Sequence, residues 1–165
     1  MAPTVLSLRP LTANDFAPYG EVLELGEGPA RAINAGTSAR RDLAAALDLT
    51  REGGAPVLAT FDVQGQAVEG PWTMLERHRL GSQTFVPLAA ADWVVLVGLG
   101  QAAPERRTFA AFAATGAQGI TLHAGTWHHP LIALAPGRFL VIERGVPGQK
   151  DCDVVTLSPP VRLAP

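Results

Sequence analysis

The chain has 165 residues, 47% of them hydrophobic and only 17% charged, with a formal net charge of −2. That balance excludes a disordered, charge-rich chain, and the length suits a single domain, residues 1–165, with a sizeable core. Basic residues cluster no further than the pairs Arg40-Arg41 and Arg106-Arg107, and the only lysine is Lys150, so no nucleic-acid partner is expected. Cys152 is the only cysteine, so no intramolecular disulfide can form, and a reducing compartment is compatible. The N-terminus lacks a basic segment followed by a long apolar run, and the longest apolar run, Trp93 to Leu99, is too short to span a bilayer. The expectation is a soluble cytoplasmic protein with no membrane partner.

In chain order, Val5 to Leu8 reads as a short strand. Thr12 then opens a helical turn, with Asp15 three residues on in a capping-box-like placement. Gly20 ends that turn, and Glu21 to Leu25 reads as strand. Ile33 to Thr37 is a turn-rich connection. Ser38 can cap a second short helix over Ala39 to Leu49, with Leu43 and Leu47 one turn apart, and Gly53-Gly54 breaks it. From there the pattern is β. The expected strands are Val57 to Val63, Trp72 to His78, Gln83 to Leu88, Trp93 to Leu99, Thr108 to Ala113, Gly119 to His123, Leu131 to Ala135, Arg138 to Glu143 and Asp153 to Leu157. Trp93 to Leu99 is apolar throughout, the mark of a strand buried on both faces. Short strands punctuated by Gly and Pro, without strand–helix alternation, predict an all-β sandwich or closed barrel with one or two short peripheral helices.

Three groups of residues can carry chemistry. Alternation along Trp72 to His78 puts Trp72, Met74, Glu76 and His78 on one face, and the turn at Leu80-Gly81-Ser82 can return Gln83 beside them. A solvated Glu/His pair is the plain alternative for Glu76 and His78. The second group is Gly125-Thr126-Trp127-His128-His129-Pro130-Leu131. Neighbouring residues on a strand point to opposite faces, so His128 is taken as the inward one and His129 as structural or outward. Trp127 reads as a packing residue and His123 as a residue at the mouth of the same site. The third is Glu143, which ends the apolar face of Phe139 and Val141. A buried carboxylate there has a raised pKa and can trade protons, whereas an ion pair with a nearby Arg is the plain reading. Cys152 lies between acidic neighbours, which raise a thiol's pKa, so it is not taken as a nucleophile.

Glu76-x-His78 followed by Gln83, with Gly125-x-x-His128 downstream, resembles the two motifs of the cupins. Glu76 stands where that pattern has its first His, and Gln83 where it has a Glu. Two imidazoles and a carboxylate suit a borderline divalent metal, with Gln83 as a weak neutral ligand. Taken with Ile33-Asn34-x-Gly36-Thr37, Arg41-Asp42-Leu43-Ala44, Leu80-Gly81-Ser82-Gln83-x-Phe85-x-Pro87 and Trp127-His128-His129-Pro130-Leu131, the chain resembles the ureidoglycolate lyases, older called ureidoglycolate hydrolases, over nearly its full length. It departs from their pattern at Thr121-Leu122, where Asn-Tyr is usual before His123.

The resemblance implies a homodimeric cupin-type double-stranded β-helix, or jelly-roll barrel. It implies a small-molecule substrate, (S)-ureidoglycolate, cleaved to glyoxylate and urea in allantoin and purine degradation. Nickel is associated with some members. On this reading His128, Glu76 and His78 are the catalytic candidates. Asn34, Ser82, Gln83, His123 and Glu143 are the substrate-binding ones, and Glu76, His78, Gln83 and His128 would hold a metal. The alternatives are a cupin-type small-molecule binding domain without turnover, or a metal-dependent cupin isomerase or dioxygenase acting on another small hydroxy or ureido acid.

Overall fold

The computed structural model of the chain describes residues 2–43, 47–88 and 91–165. The first strand, β1 (Thr4–Pro10), leads into one turn of helix, α1 (Ala13–Phe16), where the Thr12 hydroxyl accepts from the Asp15 N–H at 3.2 Å, as the capping residues predict. Phe16, on that turn, is buried and meets the ring of Phe112 edge-on. Then come β2 (Gly20–Glu24) and a hairpin of β3 (Arg31–Ile33) with β4 (Ser38–Arg40). The middle of the chain holds β5 (Ala55–Val63), β6 (Trp72–Arg77), β7 (Gln83–Pro87), β8 (Trp93–Gly98) and β9 (Ala110–Ala114). It ends with β10 (Gln118–Leu122), β11 (Trp127–His128), β12 (Ile132–Ala133), β13 (Gly137–Gly145) and β14 (Asp153–Ala164).

The larger sheet runs β11-β6-β14-β1-β9-β8-β12, and β11 also pairs with β8. Six strands thereby close into a barrel, β6-β14-β1-β9-β8-β11. It is mixed, because β1 is parallel to both of its neighbours while the other pairs are antiparallel. The second sheet, β2-β10-β7-β13-β5, is antiparallel throughout.

Two apolar cores follow. One is drawn mainly from the barrel strands and includes Leu75, Val94, Leu96, Trp127 and Val161. The other joins the two sheets and includes Phe85, Val95, Val97, Ile120 and Val141. β8 feeds both: Val94 and Leu96 turn one way, Val95 and Val97 the other. Its unbroken apolar run is the consequence. The same alternation sets the site. Leu75 and Trp127 face the barrel core, so their neighbours Glu76 and His128 face the space between the sheets.

Two expectations change. The helix over Ala39 to Leu49 is absent among the described residues: Ser38–Arg40 is a strand, and residues 41–43 and 47–50 are not helical, while 44–46 lie outside the described residues. Leu43 and Leu47 are each 40% exposed, so a helix there would have no surface against which to bury its apolar face. Trp72 also leaves the face of Glu76 and joins Leu75 in the barrel core. The register of β14 against β6 shifts between Thr156 and Val161, opposite this stretch, which breaks the simple alternation.

Candidate metal and acid–base site

His128 and Glu76 are direct cross-strand partners on β11 and β6. His78 follows just beyond the end of β6, and its carbonyl takes the Gly125 N–H at 2.7 Å, which draws the second motif onto the first. Gly125 has φ +86°, a backbone state that a side chain disfavours. One ligand atom each from Glu76, His78 and His128 lies within 4.8 Å of the others. The two imidazole rings are stacked with centroids 5.9 Å apart.

The imidazoles are held alike. His128 Nδ1 donates to the Thr126 carbonyl at 3.0 Å, and His78 Nδ1 donates to the Asp151 carbonyl at 2.9 Å. A carbonyl only accepts, so each Nδ1 carries the proton and each neutral ring presents its Nε2 lone pair. His78 Nε2, His128 Nε2 and Gln83 Oε1 are the buried side-chain atoms without a hydrogen-bond partner among the described residues. His128 Nε2 stands 3.5 Å from Glu76 Oε1. While the ring is neutral, both atoms are acceptors, and the contact becomes a hydrogen bond only when His128 takes its second proton. Once protonated, His128 holds the Glu76 carboxyl below the usual carboxylate range through that hydrogen bond, against burial that pushes it up, with further help from His78 in its charged form. Two Nε2 lone pairs, one carboxylate and backbone carbonyls orienting both rings form a donor set that fits a divalent ion of the borderline class.

Gln83 is buried on β7, and its Nε2 donates to the Glu143 carboxylate at 2.9 Å. Glu143 thus meets an amide in place of an arginine. Beside His128, on the side of Phe85, Trp93 and Leu131, only about 10 Å³ is free, too little for a substrate. A cleft of about 280 Å³ is lined by His78, Glu143, Arg144, Lys150, Asp151 and Cys152.

The remaining candidates lie apart from this group. Ser82 exchanges hydrogen bonds with Asp48, its N–H donating to the Asp48 carbonyl and its hydroxyl accepting the Asp48 N–H, both at 2.9 Å. Ser82 and the exposed His123 line a roomier cleft of about 570 Å³ with Glu21, Asp48, Arg51 and Thr121. Asp48 and Arg51 are paired there, and that wall holds none of the unpartnered buried atoms. Asn34 is exposed on the β3–β4 hairpin, where its amide donates to Ser38 Oγ and its carbonyl accepts from Thr37. His129 packs edge-on against Trp72, and burial lowers its pKa. Trp127 is 1% exposed, with its indole N–H on the Gly100 carbonyl and the Arg77 guanidinium over its ring. At the departure from the family pattern, Thr121 pairs with the Thr84 hydroxyl and Leu122 joins the core between the sheets.

Asp151 has a part that the motifs did not signal. Besides orienting His78, its carboxylate accepts the N–H groups of Arg79 and Leu80, at 3.0 and 2.9 Å, and so ties the β13–β14 loop to the β6–β7 turn. The His78 contact joins residues 73 positions apart, and no short-range spacing reveals it. Cys152, next in the chain, lies with its thiol 3.8 Å from Glu76 Oε2.

Comparison with known proteins agrees with this geometry. The family model described as Ureidoglycolate lyase matches residues 3–164. A ureidoglycolate lyase of Burkholderia cepacia is 39% identical over 157 residues, 93% of this chain and 87% of that protein. Ureidoglycolate lyase 1 of Rhizobium meliloti (strain 1021) is 38% identical over 87% of this chain and 85% of its own length. The enzyme of that name from Pseudomonas syringae pv. tomato is 34% identical over 90% and 87%. With matches of this length on both sides of the Glu76–His128 contact, the chain belongs to the ureidoglycolate lyase family.

Proposed function

We propose that the chain is a ureidoglycolate lyase that cleaves (S)-ureidoglycolate to glyoxylate and urea. The observation that carries this reading is the meeting of two imidazoles, lone pairs bare, with an ionised carboxylate, one of the imidazoles lining a cleft. The substrate has one carbon bearing a hydroxyl, a ureido nitrogen and a carboxylate. Removal of the hydroxyl proton lets the carbonyl form, the carbon–nitrogen bond breaks, and the departing nitrogen takes up a proton as urea. No water is consumed, so the site needs one group that accepts a proton and returns it.

His128 Nε2 is the acceptor. Its ring is fixed by the Thr126 carbonyl, and Glu76, at 3.5 Å, stabilises the imidazolium that forms. The low carboxyl pKa of Glu76 keeps it ionised for that task at neutral pH. The proton then passes from His128 to the leaving nitrogen. His78, with its Nε2 bare, offers a second acceptor that helps orient the substrate, and Gln83 stands on the same inner face of β7 as Phe85, whose ring meets His128. A divalent ion such as nickel would be held by Glu76, His78 and His128 and would supply Lewis-acid polarisation of the hydroxyl and carboxylate oxygens, with His128 then a ligand in place of a base.

We read the chain further as a cytoplasmic homodimer of the cupin type, acting in allantoin and purine breakdown. The closed barrel and the Glu76-x-His78 and Gly125-x-x-His128 motifs support the cupin reading. A partner is supported by β5, which among the described residues is an edge strand paired only with β13, and on which Leu58 is 67% exposed and Val57 and Phe61 about as exposed as each other, at 40% and 39%.

Incubation with racemic ureidoglycolate, with glyoxylate and urea measured against buffer alone, tests the reading. Acceleration is expected for one enantiomer. His128→Ala and Glu76→Gln are expected to lower kcat by roughly 10²–10⁴-fold, the usual contribution of positioned acid–base groups. Treatment with a chelator followed by nickel add-back assigns the metal's share. No acceleration over buffer overturns the reading.

A further inference from the structure

We propose that Glu143 is a positioning residue that locks the Gln83 amide with its carbonyl oxygen free for the ligand, so that Gln83 Oε1 accepts the N–H groups at the ureido end of the substrate. The inference rests on the lyase reading above and adds which end of the substrate this wall recognises.

The two ends of a carboxamide have nearly the same shape, so its neighbours decide which way it faces. Gln83 and Glu143 are directly opposite each other on β7 and β13. The carboxylate takes the Gln83 Nε2–H at 2.9 Å. An ionised carboxylate only accepts, so turning the amide over would set oxygen against oxygen. Gln83 is held with its other end, Oε1, buried and without a partner, and the residue is 4% exposed. A buried acceptor left bare is unfavourable unless a donor arrives to meet it. Glu143 lines the same cleft as His78, which gives such a donor its way in.

The ligand is selected by the sign of this wall. Gln83 Oε1, the Glu143 carboxylate and the Glu76 carboxylate are all acceptors. The cleft also holds Arg144, engaged with the Arg51 and Glu52 carbonyls, and the exposed Lys150, but a carboxylate brought against Gln83 Oε1 itself would set acceptor against acceptor, whereas a ureido end offers N–H donors. Glu143 acts through Gln83 and need not touch the substrate.

The test compares urea and glyoxylate, the two halves of the substrate, as inhibitors. In Glu143→Gln the neighbour at position 143 can donate as well as accept, so the Gln83 amide is free to turn. The KM for ureidoglycolate and the inhibition constant of urea are then expected to rise about tenfold, the size of one hydrogen bond. The effect falls on KM more than on kcat, and the inhibition constant of glyoxylate stays within about twofold. The double variant Gln83→Glu/Glu143→Gln places a carboxylate at position 83 against an amide donor and again presents an acceptor. It is expected to regain urea inhibition, a rescue that a merely structural role would not give. Calorimetric titration of both variants with nickel supplies the second readout. Equal weakening of urea and glyoxylate, an unchanged urea constant in Glu143→Gln, or loss of nickel affinity without loss of urea inhibition would each overturn the proposal. If Glu143→Gln does not fold, failure of the double variant to bind urea does so. A wild-type protein inactive on ureidoglycolate removes the lyase reading itself, and this inference with it. An active wild type with either of the first two outcomes removes the inference alone.

Discussion

Glu76 is the residue through which the charges of the site communicate. Its carboxyl is held low chiefly by His128, and its own charge, after burial, helps push the Cys152 thiol up to about 11. At pH 8 such a thiol is thiolate on the order of a hundredfold less often than an ordinary cysteine, so iodoacetamide should modify Cys152 slowly although the residue is exposed. Glu76→Gln removes the neighbouring charge and is expected to speed that modification, followed by mass spectrometry at fixed pH. The same variant changes how stability responds to acid. A carboxyl with a depressed folded-state pKa stabilises the fold above its unfolded pKa, near 4.5, and loses that contribution as pH falls through the folded value. The stability gap between wild type and Glu76→Gln should therefore narrow as pH drops below about 5, in guanidinium melts; urea is avoided as denaturant because it is the proposed product. A gap independent of pH, together with unchanged alkylation, would show that Glu76 is not ionised beside these groups.

At the scale of elements, the site is made where the turn before β11 is drawn onto the end of β6. Gly125 does this with φ +86° and an N–H bonded to the His78 carbonyl. A Cβ at this position would meet nothing within 4 Å, so Gly125→Ala is resisted by backbone conformation alone. It should cost about 1–2 kcal/mol, lowering Tm by roughly 3–6 °C. Because the turn also sets His78, kcat/KM should fall by about tenfold or more, beyond what the lost stability explains. A lowered Tm with kcat/KM intact would show that the turn does not govern the ring. Both halves of this contact were legible in the sequence, because alternation within a strand is a local rule and Glu76 and His128 each obey it. The expected second helix failed for the complementary reason. Leu43 and Leu47 have helical spacing, but helices this short form only where a neighbouring surface covers them, and spacing says nothing about neighbours. The Gln83–Glu143 pair lies between these cases: both residues stood out, but their pairing depends on the register of β13 against β7, which is settled by the whole sheet.

Across the whole molecule, the two cores give the site its rigidity and the loop after β13 gives it the contact that orients His78. His128 and Glu76 stand on strands whose opposite faces are buried in the barrel, so neither can shift without disturbing Leu75 or Trp127. His78 has no such backing. Its ring depends on Asp151, at the far end of the loop that follows β13. The exposed Lys150 immediately before it is the only lysine in the chain, so a lysine-specific protease has a single bond to cut. After the cut, β14 remains paired with both β6 and β1, and the two fragments should stay together with an unchanged circular dichroism spectrum. Lyase activity should nevertheless fall, since Asp151 is freed on one side and the ring of His78 with it. A nick that leaves full activity would mean that Asp151 needs no tether. Substrate or nickel seated against His78 should in turn slow the nicking. The segment bearing Asp151 is a latch, and the rate of one proteolytic cut measures how firmly it is shut.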